Sequence, residues 1–243
     1  MSMDTGIWLF DLGNTRVKFA PLRDDGGTGE VVAVAHADDD GWLSRLPHGA
    51  VACIASVASD SRRARLLDGL AARFDRLHLA RTEPALGPLR IAYKDPAHLG
   101  VDRFLAMLAR AGDGASLLVG VGTALTVDLL DADGLHRGGR IAPSPQLMRE
   151  ALQQRAAQLP ASGGAYAEFA DDTVHALASG CEGAALGLVE RSLHAAQALL
   201  GHAPALILHG GGAAALRERL PAHECQPDIV LRGLARWHAL RIA

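Results

Sequence analysis

Two spacings of apolar residues divide this chain into strands and helices. Ile7–Leu12 is a short β-prone run, and Gly13-Asn14 behind it is a turn signal. Arg16–Pro21 reads as a second strand running into the turn cluster DDGGTG, and Glu30–Ala35 as a third. A short helix near Asp39–Leu46 follows, then the buried strand AVACIAS at residues 50–56. Leu66, Leu67 and Leu70 stand at helical spacing in a helix predicted for Ser59–Phe74, and Leu77–Ala80 is the next strand. GVDRFLAMLARAG (Gly100–Gly112) starts another helix, with Phe104, Leu105 and Leu108 as its buried stripe and Gly112 as its stop.

The pattern then repeats. SLLVGVG (Ser116–Gly122) is a continuous apolar run, ALTVDLLD alternates, DADG is a turn and GGRIAP a third strand. A helix begins near Gln146, and the Ala/Leu-rich stretch Asp172–Leu200 reads as one or two helices. ALILHGGG is a strand ending in a glycine loop, followed by a helix at Ala213–Leu220 and a terminal strand and helix. Both halves read three strands, helix, strand, helix. Superimposing Gly13 on Gly122 lays LFDLGNTRVKF over LVGVGTALTVD, two hairpins whose turns carry glycine and threonine and suit one anion. The expectation is an α/β protein of two pseudo-symmetric halves, residues 1–112 and 113–243, each a mixed sheet flanked by helices.

Composition narrows the function. Of 243 residues 49% are apolar and 21% charged, as in a globular protein rather than a disordered chain. A net charge of −3 and 4% aromatic residues leave neither a basic field nor a stacking platform for nucleic acid. Cys53, Cys181 and Cys225 are odd in number and far apart, which suits a reducing compartment and gives no Cys-x-x-Cys pair. The eleven histidines form no zinc-type cluster. The opening MSMDTGIWLF carries Asp4 and no basic region, so a signal peptide is not expected. The longest uncharged stretch, Ser192–Leu216, is broken by histidines, Pro204 and Gly210–Gly212, so no membrane span is expected either. Together these features point to a cytoplasmic protein. P-loop, Gly-x-Gly-x-x-Gly and Gly-x-Ser-x-Gly signatures are absent, and HGGG (His209–Gly212) reads as a nucleotide-side loop or a tight strand-to-helix turn.

Three segments carry candidate chemistry. In DLGNTRVK (Asp11–Lys18), turn amides with Asn14 and Thr15 can donate to phosphate oxygens. Asp11 adds a carboxylate suited to Mg²⁺, and Lys18 a positive charge. The plain alternative is a hairpin whose Gly13 and Asn14 serve only a positive φ. GTALTVD (Gly122–Asp128) supplies Thr123, Thr126 and Asp128 in matching positions. Asp102, in the first turn of its helix, can cap it or accept a proton from a substrate hydroxyl. Arg103 can hold a carboxylate in its planar fork or pair with an exposed acid, and Tyr93 taken singly is a half-buried packing residue.

In order and spacing, DLGNTRVK, GVDR, GTALTVD and GLHRGGRIAP (Gly134–Pro143) resemble the type III pantothenate kinases of the acetate kinase/hsp70/actin-like superfamily, over most of the chain. The resemblance implies a duplicated actin-like (ribonuclease H-like) fold and phosphorylation of pantothenate by ATP, the first step of coenzyme A synthesis. It assigns ATP phosphates to Asp11, Leu12, Gly13, Asn14, Thr15, Arg16, Val17, Lys18 and Thr123, with Mg²⁺ near Asp11. It assigns pantothenate to Tyr93, Gly100, Val101, Asp102, Arg103 and Thr173, with Asp102 as catalytic base. A homodimer and a monovalent cation, potassium or ammonium, are also implied. Two positions depart from the family pattern: Gly120 replaces an aspartate that helps bind that cation, and Ser144 replaces a glycine after Pro143. A regulatory homologue with weak turnover, or a phosphohydrolase of the same fold, remains open at this point.

Overall fold

The computed structural model describes residues 6–36 and 40–241. Asp4, and Asp39 at the start of the predicted short helix, lie outside the described residues. In the first half the order is β1 (Ile7–Leu12), β2 (Arg16–Pro21), β3 (Val32–Ala35), a 3₁₀ helix at Asp40–Arg45, β4 (Gly49–Ser56), α1 (Asp60–Ala71) and β5 (Phe74–Leu79). Phe74, expected at the end of a helix, instead opens β5. It is buried and meets Phe10 edge-on with ring centroids 5.6 Å apart, so the core claims it for the sheet. Next come β6 (Ala85–Leu86) and β7 (Leu89–Arg90), a 3₁₀ turn at Pro96–His98, and α2 (Val101–Arg110). The tiny β6–β7 ribbon, turning at Gly87 with φ +54°, is too short to leave an alternating pattern.

The second half follows with β8 (Ser116–Val121), β9 (Ala124–Leu130), β10 (His136–Pro143), α3 (Pro145–Arg155), α4 (Thr173–Leu200), β11 (Ala205–His209), α5 (Ala214–Arg217), β12 (Glu224–Cys225) and α6 (Ile229–Arg241). The Ala/Leu-rich stretch is a single helix. The Asp172 carboxylate accepts the His175 N–H at 2.8 Å to start it, and Gly201, at φ +78°, ends it in a left-handed cap.

The duplication extends to topology. One sheet has the order β3-β2-β1-β4-β5 and the other β10-β9-β8-β11-β12. In each, the first strand is antiparallel to the second and parallel to the fourth. Phe10, Leu12, Val17, Phe19, Ile54 and Leu66 anchor the first core, and Val119, Leu125, Val127, Ala185, Val189 and Leu208 the second.

The chain folds into two compact units. The first holds the described residues up to Asp113 with Asp133–His136 and those from Asp228 onward; the second holds Gly114–Ala132 and Arg137–Pro227. The difference from a simple division after residue 112 is chiefly α6, which packs on α2. Gly233 lies so near the backbone of Leu105 that a Cβ there would stand 1.9 Å from the Leu105 carbonyl oxygen. Arg236 Nη1 also donates to the Leu108 carbonyl at 2.9 Å, satisfying an end carbonyl of α2. Covered by α6 on one side and the sheet on another, α2 is buried well beyond its predicted stripe.

Register corrects the hairpin overlay. Leu12 pairs with Val17 across Gly13–Arg16, whereas Val121 pairs with Leu125 across Gly122–Ala124, so the second turn is one residue shorter. The match holds through Gly122 and then slips by one, placing Lys18 over Thr126 instead of Val127. The core forces the slip: the inward pair Val17 and Phe19 can only match the inward pair Leu125 and Val127.

Candidate active site

At the first turn Gly13 N donates to Arg16 O at 3.1 Å. Neither Gly13 nor Asn14 has a positive φ, and a Cβ on Gly13 would come no nearer than 3.4 Å to Arg16 O. A positive φ is therefore not what this turn asks of Gly13 and Asn14. His36 holds the loop, Nε2 donating to Gly13 O and its backbone N–H to Thr15 O, both at 3.0 Å, and Arg62 donates to Asn14 O. Leu12 and Val17 are buried while Asn14, Thr15 and Arg16 are exposed, so two core residues brace a polar turn.

Behind the turn, Asp11 on β1 is paired in register with Lys18 on β2. Burial and then the charge of Asp102 push its carboxyl up to about 6, against the lowering influence of Lys18. Asp102 is in the first turn of α2, where its Oδ1 accepts the Arg103 N–H at 2.8 Å. Gly100 is needed beside it for space, since a Cβ there would lie 2.6 Å from Asp102 Oδ1. Val101 and Arg103 are buried, so the Arg103 fork sits inside the fold rather than on its surface. Its Nη1 donates to Tyr93 Oη at 3.3 Å, and its guanidinium carbon lies 5.8 Å from the Tyr93 ring centroid. A second partner of Tyr93 is buried His136, stacked at 5.9 Å and 11°. The fold thus collects Asp11, Lys18, Asp102, Arg103 and Tyr93 in the first unit. His136 was missed as a partner of Tyr93, although GLHRGG marked its segment.

The second unit holds the remaining candidates. Gly122 and Thr123 are exposed, with Gly122 N donating to Ala124 O at 2.9 Å. Ser144 N reaches Thr123 O at 3.4 Å, and Ser144 Oγ accepts the Leu147 N–H at 3.2 Å. The serine in place of glycine is thus an N-cap for α3. HGGG forms the tight strand-to-helix turn: Gly210, at φ +90°, lies where a Cβ would be 2.4 Å from Val121 O, and Gly212 N donates to that same oxygen at 2.9 Å. Thr173 is exposed at the first position of α4.

With this geometry in place, the comparisons with known proteins decide the family. The sequence model of the type III pantothenate kinases matches residues 7–195. This chain belongs to the type III pantothenate kinase family. A type III pantothenate kinase of Stenotrophomonas maltophilia is 56% identical over 235 residues, covering 95% of this chain and 96% of the relative. Among solved structures, a conserved putative Baf family transcriptional activator from Campylobacter jejuni is similar with TM-score 0.65 and 18% identity, covering 96% of this chain and 97% of that one. A putative 2-dehydro-3-deoxygalactonokinase from Sinorhizobium meliloti gives TM-score 0.58 at 15% identity, covering 98% and 100%. Both likenesses concern the fold alone, two α/β units with the same strand order. Among the described residues no helix is long and apolar enough to cross a membrane.

The kinase family implies a divalent cation with ATP, the motif resemblance adds a monovalent one, and this chain suits the two unequally. Asp11 is held near 6 partly by repulsion from Asp102, and a divalent cation brought in with ATP would relieve that repulsion. The monovalent cation finds no such place at the second turn. There Gly120 supplies no side-chain oxygen, and the space beyond its Cα is already filled by the Thr126 hydroxyl and the His209 ring.

Proposed function

We propose that this chain transfers the γ-phosphoryl group of ATP to the primary hydroxyl of pantothenate, the first step toward coenzyme A. One observation carries the assignment of roles: a carboxylate at the start of α2, beside Asp11, followed directly by an arginine fixed on Tyr93. Asp102 accepts the hydroxyl proton as the oxygen attacks phosphorus in line. Gly100, Val101, Arg103, Tyr93 and Thr173 hold pantothenate, with the Arg103 fork on its carboxylate. Thr123 and the Asp11–Lys18 turn hold the phosphates through backbone amides, hydroxyls and the Lys18 ammonium. Asp11 would hold magnesium brought in with ATP, and that ion would supply neutralisation of the charge on the transferring group.

Base strength is secondary here, because the transition state of phosphoryl transfer is loose and positioning supplies much of the rate. The reading includes a homodimer in the cytoplasm. A groove of about 500 Å³ between α3 and the start of α4, lined by Pro143, Met148, Leu152 and Leu177, supports it as apolar surface available for burial. Light scattering in solution checks the dimer. The decisive assay is ADP release with and without pantothenate. Pantothenate-dependent release is expected; release that ignores pantothenate would mark a phosphohydrolase, and no release a regulatory homologue.

A further inference from the structure

Gly120 sits in the middle of a row of three residues running across the second sheet. Its register partners are Thr126 on β9 and His209 on β11, so all three project from the same face. A Cβ on Gly120 would stand 2.7 Å from Thr126 Oγ1, 2.8 Å from His209 Cε1 and 2.9 Å from His209 Nε2. These separations are below any normal contact with carbon. The imidazole edge and the threonine hydroxyl therefore occupy the volume that an aspartate side chain would need. The other carboxylate of this hairpin, Asp128, is one pleat further from the turn and buried, with 3% of its surface exposed. Directly beyond Gly120 the chain runs Val121, Gly122 and Thr123, and Gly210, next to His209, is packed on the Val121 carbonyl. The imidazole edge is thus packed over Gly120, two residues before Gly122 of the second turn.

We propose that His209 takes the place of the monovalent cation in this enzyme. It is a positioning residue: its ring, packed over Gly120 with Thr126, holds the Gly122–Thr123 turn by side-chain contact, where an aspartate-bearing site would use an ion. Turnover then does not depend on potassium or ammonium. The inference rests on the kinase reading above and deepens it.

The test uses the purified full chain in choline chloride, replaced stepwise by potassium or ammonium chloride at constant ionic strength. Pantothenate-dependent ADP release and ATP affinity by calorimetry are measured in parallel. For the wild type both should change less than about twofold across the titration. Saturable activation of about tenfold or more, or a matching gain in ATP affinity, would overturn the proposal. His209→Ala opens the space without adding bulk. It should weaken ATP binding and raise KM for ATP by about 5–10-fold, a loss of about 1 kcal/mol, with partial rescue by potassium. A folded His209→Ala enzyme with wild-type ATP affinity would remove His209 from this role. Gly120→Asp combined with His209→Ala should acquire a saturable potassium response in ATP affinity, and its absence in a folded double variant counts against the proposal. ADP release that ignores pantothenate in every salt would defeat the kinase reading itself, a result separate from any potassium effect.

Discussion

In the first sheet, the row across β2, β1 and β4 one residue behind the turn region reads Lys18, Asp11, Ala55. The equivalent row across β9, β8 and β11 reads Thr126, Gly120, His209. Strand order and pairing are the same in both, so the two copies offer nearly identical backbones at this point. The side chains are redistributed. One row places a carboxylate on the central strand with a small neighbour in β4; the other empties the central strand and places its bulk on the neighbour. Core-facing residues keep the register, since a one-residue slip would turn the whole apolar set outward. Residues on the ligand side are under no such constraint and are free to diverge. The duplicated scaffold therefore preserves geometry while the anionic chemistry, Asp11 with Asp102, is concentrated in the first unit.

The largest effect should come from that concentration. Asp102→Asn is expected to lower turnover by about 10²–10⁴-fold, the usual contribution of a general base. The asparagine Oδ1 can still accept the Arg103 N–H, so circular dichroism and melting should stay close to wild type. A variant that turns over pantothenate normally would break the comparison, since chemistry would then not depend on the first unit's acids.

Asp11→Asn strips from the first row the carboxylate that the second lacks already. Turnover should fall by about 10²-fold or more, as when a preorganised charge is removed from a transferring group. Stability should move the other way. The Asp11 carboxyl is raised from its ordinary value to about 6, so the native state binds more protons and its stabilising contribution is lost as pH rises through about 6. Above that pH the ligand-free variant should melt about 2–6 °C higher than wild type, following about 1–2 kcal/mol in a chain of this size. A lower melting temperature would show that the buried charge is already compensated.

Substrate contacts should give a smaller and more selective response. Arg103→Ala and Tyr93→Phe should raise KM for pantothenate by about 10-fold and about 3-fold, with little change in KM for ATP. Equal effects on both substrates would move the pair out of the pantothenate pocket.

The smallest effect is a pH response, also in the first unit. His238, with Nδ1 3.5 Å from Cys53 Sγ, has its pKa lowered by burial and then by His78. The native state therefore binds fewer protons than the unfolded chain, and stability falls as pH drops below the ordinary histidine value of about 6.5. Asp11 acts with the opposite sign in the same range, so the measurement is best made in the Asp11→Asn background. There the melting temperature should fall by a few degrees, about 2–4 °C, between pH 7 and 5. His238→Gln should flatten that slope, and an unchanged slope would assign the acid sensitivity elsewhere.

Legibility followed distance along the chain. β1 and β2 were placed residue for residue, because alternation and a turn signal are properties of adjacent positions. Phe74 was misassigned because its helical spacing is real while its partner, Phe10, is far away in sequence. The segment proposed for pantothenate is legible in its letters, GVDR with Tyr93 seven residues before it. Stacked His136 was missed as a partner because nothing near residue 136 announces residue 93. An ungapped overlay hid the missing residue in the second turn, since single letters do not show which way a strand side chain faces.

Sequence alone determined the duplication, the elements, the lack of a net positive charge and the four motif segments that mark the family. These all rest on periodicity and local spacing, which tertiary contacts seldom overturn in strongly patterned stretches. Only the tertiary structure decided that α6 belongs with α2, that Arg103 is buried on Tyr93, and that the space beyond Gly120 is filled by His209. Each of those joins residues far apart in the chain. Close packing sets them, and close packing allows only one group to occupy a given volume.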